Sequence, residues 1–383
     1  MYMTEKDEEG AMRRLWTRDL RNILQAVKDG TFEYEEKETK KIDWKSYNEA
    51  QLNELADMLK MIRDSVDIAV ERIKIREQKE IRQGPGRPSV PSGDIAKVLL
   101  LQSYFGVSDR IAGGLLKVFD TKLGISQTFS YKTIERGYDP ERTKIIFDEI
   151  FKLTNEWSNF AENMFGVDGT GDPTTNKINY ESNRAIQRKE YEKKDSTNHN
   201  DEVMNAWPSK KRDFQYSVLS GGIHTKIIGG FSTTDDHHIG ELSQFQSTME
   251  QTAENAPSLE IILGDKLYAN RQVCKLVDSY GATLFSLPKL NSTIHSKGVP
   301  GWSKMTYKLI LDPHGFLKVF HNRSISETIN SMMKRRESTP IRKRLSWRKD
   351  TAEYLKVNLH NLRQSCYLTY LAPTLTKIPL RVN

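Results

Sequence analysis

Three carboxylates and two cations in this chain have the types and spacing to handle a phosphodiester. Arg323, Glu327 and Lys334 stand at offsets 0, 4 and 11 in the line Phe320-His-Asn-Arg-Ser-Ile-Ser-Glu-Thr-Ile-Asn-Ser-Met-Met-Lys-Arg-Arg. At about 100° per residue a helix places the three within roughly 40° of one another. There the Glu can ligate a divalent cation while the Arg and Lys contact the phosphodiester beside it. The same spacing also describes a solvated helix face of i,i+4 ion pairs.

Two further segments narrow the choice. Glu162-Asn-Met-Phe-Gly-Val-Asp168-Gly-Thr-Gly-Asp172 reads as a short apolar strand whose last residue, Asp168, offers a carboxylate at the sheet's carboxyl edge. The glycines after it would let a ligand approach. Leu259-Glu-Ile-Ile-Leu-Gly-Asp265 repeats the pattern, with a helix-like run from Arg271 behind it. Either aspartate alone is as well explained by capping of the next element. Strand-Asp, strand-Asp and helix-Glu in that order is the carboxylate set of the RNase H-like fold.

The spacing aromatic-x2-Arg-x3-Glu-x6-Lys resembles the signature of the DDE transposases of prokaryotic insertion sequences, with Phe320 where that family usually has Tyr. Gly281-Ala-Thr-Leu-Phe-Ser-Leu-Pro-Lys289 resembles the family's strand after the second Asp, Trp302-Ser-Lys-Met its tryptophan segment, and Leu355-Lys-Val-Asn-Leu-His360-Asn361-Leu its closing helix. The resemblance runs from about Phe165 to about Leu371. It implies a transposase that binds double-stranded DNA, both transposon ends and target, as a homodimer on DNA. The chemistry it implies is metal-dependent cleavage of a phosphodiester followed by strand transfer. Asp168 would bridge two Mg²⁺ (or Mn²⁺) ions, Asp265 and Glu327 would each hold one, and Arg323 and Lys334 would grip phosphates. No catalytic His is then needed among the eight histidines. Two alternatives stand beside this reading: a regulatory DNA-binding protein without catalysis, and an RNase H-like nuclease that cuts without joining.

Charge agrees with a polyanionic partner. Lys+Arg number 58 against 51 Asp+Glu in 383 residues, a net charge of +7 and a pI near 9.0. Lys334, Arg335, Arg336, Arg342, Lys343, Arg344, Arg348 and Lys349 meet only Glu337 between Lys334 and Lys349. That run would set a positive field beside Glu327, or would simply be a soluble basic surface. Cys274 and Cys366 are far apart in apolar helical contexts, which points to reduced core thiols, and their spacing excludes a cysteine-based zinc site. The opening residues show no secretory signal, and Val98-Leu-Leu-Leu101 is far short of the ~20 residues that span a bilayer. A cytoplasmic, nucleoid-associated protein without membrane insertion is expected.

The fold class read from these patterns is α+β or α/β: a helical N-terminal DNA-binding region followed by an RNase H-like mixed-sheet catalytic domain. Residues 1–90 are helical and charged, and Leu52, Leu55, Leu59, Ile62, Val66, Ala69 and Ile73 form a heptad seam, either for a second subunit or for the domain's own core. Gln83-Gly-Pro-Gly-Arg87-Pro-Ser-Val-Pro91 marks a boundary. Its Gly-Arg-Pro reads as a hinge, or as a minor-groove segment in which Arg87 contacts DNA. Residues 91–160 form a helix-turn-helix-like region, with Phe105-Gly-Val-Ser as the turn and Ser108 as N-cap of the second helix, in which Lys132 and Arg136 are the candidate DNA contacts. Residues 161–372 form the catalytic domain and 373–383 a tail. Within the catalytic part Thr174–Arg212 reads as an exposed polar loop, Phe214–Gly222 and Lys226–Thr233 as a hairpin, and Ile261–Gly264 and Thr283–Leu287 as the fourth and fifth strands. Tyr307–Leu311 and Phe316–Phe320 are strand-like. Asp235-Asp-His-His238 has the look of a metal cluster, but the family places no main metal site there. Only 62 positions separate Asp265 from Glu327, which leaves no room for a large inserted domain.

Overall fold

The computed structural model describes residues 4–6, 12–34, 42–77, 89–125, 127–174, 214–236, 238–336 and 340–378. Arg87 with its Gly-Arg-Pro segment, the polar stretch after Thr174 and Glu337 lie outside them.

A short hairpin of β1 (Thr4–Lys6) and β2 (Met12–Arg14) precedes α1 (Thr17–Asp29). The main sheet has five strands: β3 (Met164–Pro173), β4 (Phe214–Gly222), β5 (Ile228–Thr234), β6 (Ile261–Leu263) and β7 (Thr283–Phe285). Their order is β5-β4-β3-β6-β7. The first three run antiparallel to their neighbours, while β6 lies parallel to β3 and β7 parallel to β6. β3 is longer than its apolar run: the pairing with β4 continues through Asp168↔Leu219 to Pro173↔Phe214, so Asp168 sits in mid-strand rather than at its end. Tight antiparallel pairing carries the polar half of the strand, which hydrophobicity alone does not signal.

Phe165 and Val167 point into a core shared with α7 (Glu241–Asn255), α8 (Arg271–Ser279), α9 (Pro300–Leu311) and α10 (Pro313–Phe320). Those last two elements correct the strand-like readings of Tyr307–Leu311 and Phe316–Phe320. A proline opens each helix, Asp312 accepts from the Gly315 amide at 2.8 Å, and the buried residues Trp302, Met305 and Leu309 recur at spacings of three and four. The period is helical, and the prolines fit the first turn, where no amide donor is missed. Leu20 and Leu24 of α1 join this same core.

A second core unites α2 (Trp44–Glu77), α3 (Ser92–Phe105), α4 (Asp109–Leu123), α5 (Tyr131–Arg136), α6 (Pro140–Glu156) and the long C-terminal α12 (Ser346–Leu371). Ser108 caps α4 at the expected turn, its side chain accepting from Ile111. The Pro-Gly segment therefore runs between two helices, α2 and α3, that share one core. In the seam of α2, Leu59, Ile62, Val66 and Ala69 are buried in that core, while Leu52 is 86% exposed. The own-core reading holds for the seam's centre, and only its first turns remain outside. Both cysteines are free and buried. Among the described residues no helix is long and apolar enough to cross a membrane.

The edge strand β5 is closed by α12. Asn361 accepts from the Ile228 amide at 2.8 Å and donates to the Ile228 carbonyl at 3.0 Å, doing for the edge what another strand would do. Beside it His360 Nε2 meets the Lys226 carbonyl at 2.9 Å, and burial pushes its pKa down to about 4. The His360-Asn361 pair of the closing helix is thus architectural.

Candidate active site

The elements that carry the three acids meet at the carboxyl edge of the sheet. The β3/β6 register ends at Gly166↔Leu263, so Asp168 and Asp265 each stand two residues beyond the last pair of neighbouring parallel strands. Glu327 comes from α11 (Ser324–Arg336), which lies on β3 and β4. Gly166 makes that approach close: a Cβ there would stand 3.3 Å from Cβ of Ser326. Ile329 and Met333 of α11 then bury against Leu219, Phe231 and Val357. One turn after Glu327, Asn330 donates its amide to Asp168 Oδ2 at 2.8 Å and so joins helix to strand across the site.

The electrostatics of Asp168 report its neighbours. Burial first, and then the negative charges of Glu327 and Asp265, hold its carboxyl above the ordinary range, against the Asn330 hydrogen bond that favours ionisation. Glu241, the first residue of α7, is raised likewise by burial and by Asp265 and Asp168, with a hydrogen bond from Tyr268 opposing. Side chains are not gathered into a ready cage: among the described residues no three His, Cys, Asp or Glu groups converge closely enough to hold an ion as they stand. Glu327 is drawn to Arg323, with Nη1 2.8 Å from Oε1, and Asp265 Oδ1 accepts from the Leu267 amide at 2.8 Å. The i,i+4 ion pair anticipated as the ordinary alternative is formed.

This crowding has a measurable sign. An acid whose folded pKa lies above its unfolded value costs stability once pH exceeds the unfolded value, and the cost is complete above the folded one. Asp168→Asn is therefore expected to raise the thermal midpoint at neutral pH and to leave it nearly unchanged at pH 3, as scanning calorimetry at the two pH values would show. A lower midpoint at neutral pH would contradict the repulsive reading of the site.

A curated protein of Archaeoglobus fulgidus, a probable transposase for an insertion sequence element, is 25% identical to this chain over 351 residues, covering 91% of this chain and 95% of the relative. This chain is similar to an insertion-sequence transposase over nearly its whole length. No family model and no solved structure matches it.

The cations expected at DNA divide into two groups. Lys334 and Arg335 line an open groove with Asp168, Glu327 and Asn330. Lys132 and Arg136 are exposed on α5. Arg336, in contrast, reaches Glu54 at 2.9 Å and Tyr367 at 3.2 Å, away from the groove. Much of the basic run behaves similarly: Lys343 pairs with Asp109, Arg348 with Glu135 and Asp139, and Lys349 with Asp235. Four of its eight cations are thus held by acids, most of them in the helical layer. In Asp235-Asp-His-His238, Asp235 accepts from Ser346 at 2.8 Å and Asp236 caps the His238 amide at 2.9 Å; neither belongs to a metal cluster among the described residues. Sequence reasoning missed Asn330, Glu241 and Tyr268. Asn330 had a signal, lying one turn from both Glu327 and Lys334; Glu241 reads as an ordinary acid in a first helical turn.

Proposed function

We propose that this protein is a DDE transposase that binds transposon ends and carries out metal-dependent phosphodiester cleavage and strand transfer. The observation that carries the reading is that Asp168 and Asp265 each stand two residues beyond the last pair of neighbouring parallel strands, while Glu327 lines one groove with Asp168. The strand order β5-β4-β3-β6-β7, with three antiparallel strands followed by two parallel ones, is what an RNase H-like core requires. The relative's description as a probable transposase supports the same class.

The donor set fits a hard divalent cation. Three carboxylates, one of them raised by burial and then by the charges of the other two, are the oxygen ligands Mg²⁺ or Mn²⁺ takes, with water and DNA oxygens completing the shell. Asp168, Asp265 and Glu327 would hold two ions, which would supply activation of the incoming oxygen and stabilisation of the leaving one. The chain's own part is placement. Asn330 fixes Asp168, the glycine-floored seat of α11 brings Glu327 to the strand, and Lys334 and Arg335 bind phosphate along the groove. Arg323 exchanges Glu327 for a phosphate when DNA enters. Lys132 and Arg136 on α5 contact DNA further out, and the protein pairs two ends as a homodimer on DNA.

The decisive test uses DNA flanking the gene. The purified chain with Mg²⁺ and a labelled duplex carrying those flanks is expected to nick at the ends and to join the freed 3′-hydroxyl to a second duplex. Cutting without joining would favour the nuclease reading; binding without cutting would favour a regulator. Within this reading Lys334→Ala is expected to weaken end binding and to lower the slope of log affinity against log salt by about 0.9, as one phosphate contact fewer requires. An unchanged slope in a filter-binding series would remove Lys334 from the DNA.

A further inference from the structure

Glu241 stands at the back of the acidic edge. Its Oε1 accepts from the Tyr268 hydroxyl at 2.5 Å. Tyr268 lies three residues beyond Asp265, is fully buried and packs edge-on against Phe245 at 5.1 Å. The carboxylate also abuts the backbone of Gly169, the residue after Asp168: a Cβ added there would stand 2.7 to 3.0 Å from the carboxylate's atoms. Glu241 is thus wedged between the chain just past Asp168 and the chain just past Asp265. A side chain at position 169 would have to push that carboxylate aside.

Its surroundings lack what a structural acid ordinarily has. Glu241 is half-buried and takes hydrogen bonds from the Tyr268 hydroxyl and the Gly169 amide, but among the described residues no lysine or arginine pairs with it. Gln244, one turn along the same helix, is 5% exposed, and its Oε1 has no hydrogen-bond partner among the described residues. Both side chains line one groove of about 430 Å³ with Gly169, Gly171 and Tyr216. Two oxygen donors without a cationic partner, one of them without any hydrogen bond, share one helix face, and Glu241 lies close enough to Asp168 and Asp265 to feel both charges. A hard cation satisfies such a surface, whereas an anion or an apolar group does not.

We propose that Glu241 is a fourth carboxylate of the site, an oxygen ligand to the divalent cation held at Asp168 and Asp265. In this arrangement Tyr268 is the positioning residue that fixes one carboxylate oxygen and turns the other toward the ion, and Gln244 adds a neutral oxygen beside it. The inference rests on the reading of Asp168, Asp265 and Glu327 as the cation-holding set. It also gives Gly169 a reason: the glycine after Asp168 admits Glu241, rather than the substrate.

Titration of the full-length protein with Mn²⁺, followed by calorimetry and by the loss of the free-ion electron paramagnetic resonance signal, tests this without turnover. Glu241→Gln keeps the shape and an oxygen that accepts from Tyr268, so a merely structural role predicts unchanged Mn²⁺ affinity. The proposal predicts a dissociation constant raised about tenfold or more, with the thermal midpoint retained or higher. Glu241→Asp, which keeps the charge and shortens the reach, is expected to weaken Mn²⁺ as well, and Tyr268→Phe to do so in the same direction. Asp265→Asn serves as the reference. If Asp265→Asn weakens Mn²⁺ and both Glu241 variants stay within about twofold of the wild type, Glu241 is no ligand and the three-acid site stands. If Asp265→Asn is also without effect, the cation-holding set itself is wrong and this inference falls with it.

Discussion

Asp265→Asn is expected to reduce metal-dependent strand cleavage on the order of 10³-fold or more, with end-DNA binding changed by less than about twofold. Asp265 is exposed, and its side chain makes one local hydrogen bond, to the Leu267 amide two residues on. Asn keeps that acceptor and the volume, so neither the fold nor the Gly264 turn depends on the charge. The charge acts on the acids around it, Asp168 beyond the end of the neighbouring strand pair and Glu241 behind it. The loss must then appear in cleavage and not in binding. Nicking of a labelled end duplex at several Mg²⁺ concentrations, with mobility shifts alongside, separates the two. Cleavage by the variant at the wild-type rate would end the assignment of Asp265 as a ligand.

What the chain declared in advance was chemistry and period. The nearness of Asp168, Asp265 and Glu327 followed from their order along the chain, although Asp168, expected at a strand end, lies in mid-strand. The helical hairpin around Ser108 was legible because its cap and turn residues are local signals. Tyr307–Leu311 and Phe316–Phe320 were misread as strands because five-residue windows cannot separate period 2 from period 3.6, and the prolines at 300 and 313 were the better evidence. The partners of the basic run were not legible at all. Lys343 meets Asp109 and Arg348 meets Asp139 across more than two hundred residues of chain, and no local pattern encodes that distance. Asn361, matched as part of a motif, turned out to close a sheet edge, a role visible only once β5 is known to be that edge.

The same lesson sets the second large expectation, that Glu54→Ala destabilises the protein by about 3 kcal/mol. Glu54 is a hub with its side chain only 17% exposed. Its Oε2 accepts from Arg336 at 2.9 Å and Tyr367 at 2.6 Å, and its Oε1 from Arg363 at 3.2 Å and Tyr104 at 3.4 Å. Arg336 lies over the Tyr367 ring and Arg363 over that of Tyr104, so α2, α3, α11 and α12 converge on one carboxylate. Removing it takes from two confined guanidinium groups the carboxylate they share, which is the costly way to break a buried pair. The pH dependence carries a definite sign. Burial alone would raise the Glu54 pKa, but the Tyr367 hydrogen bond and the charges of Arg336 and Arg363 outweigh it and hold the carboxyl below its ordinary 4.5. The ionised group therefore stabilises the fold above that value, and the contribution is lost as pH falls through the lower, folded one. Urea titrations from pH 7 down to pH 3 should show wild type converging toward Glu54→Gln at the acid end. Arg336→Ala completes the argument, because it belongs to the same hub yet sits two residues from Lys334. It is expected to lower stability while leaving the salt dependence of DNA binding at the wild-type slope, the reverse of Lys334→Ala. A flattened slope with stability intact would return Arg336 to the DNA and remove it from the clamp that holds the end of the Glu327 helix against α2.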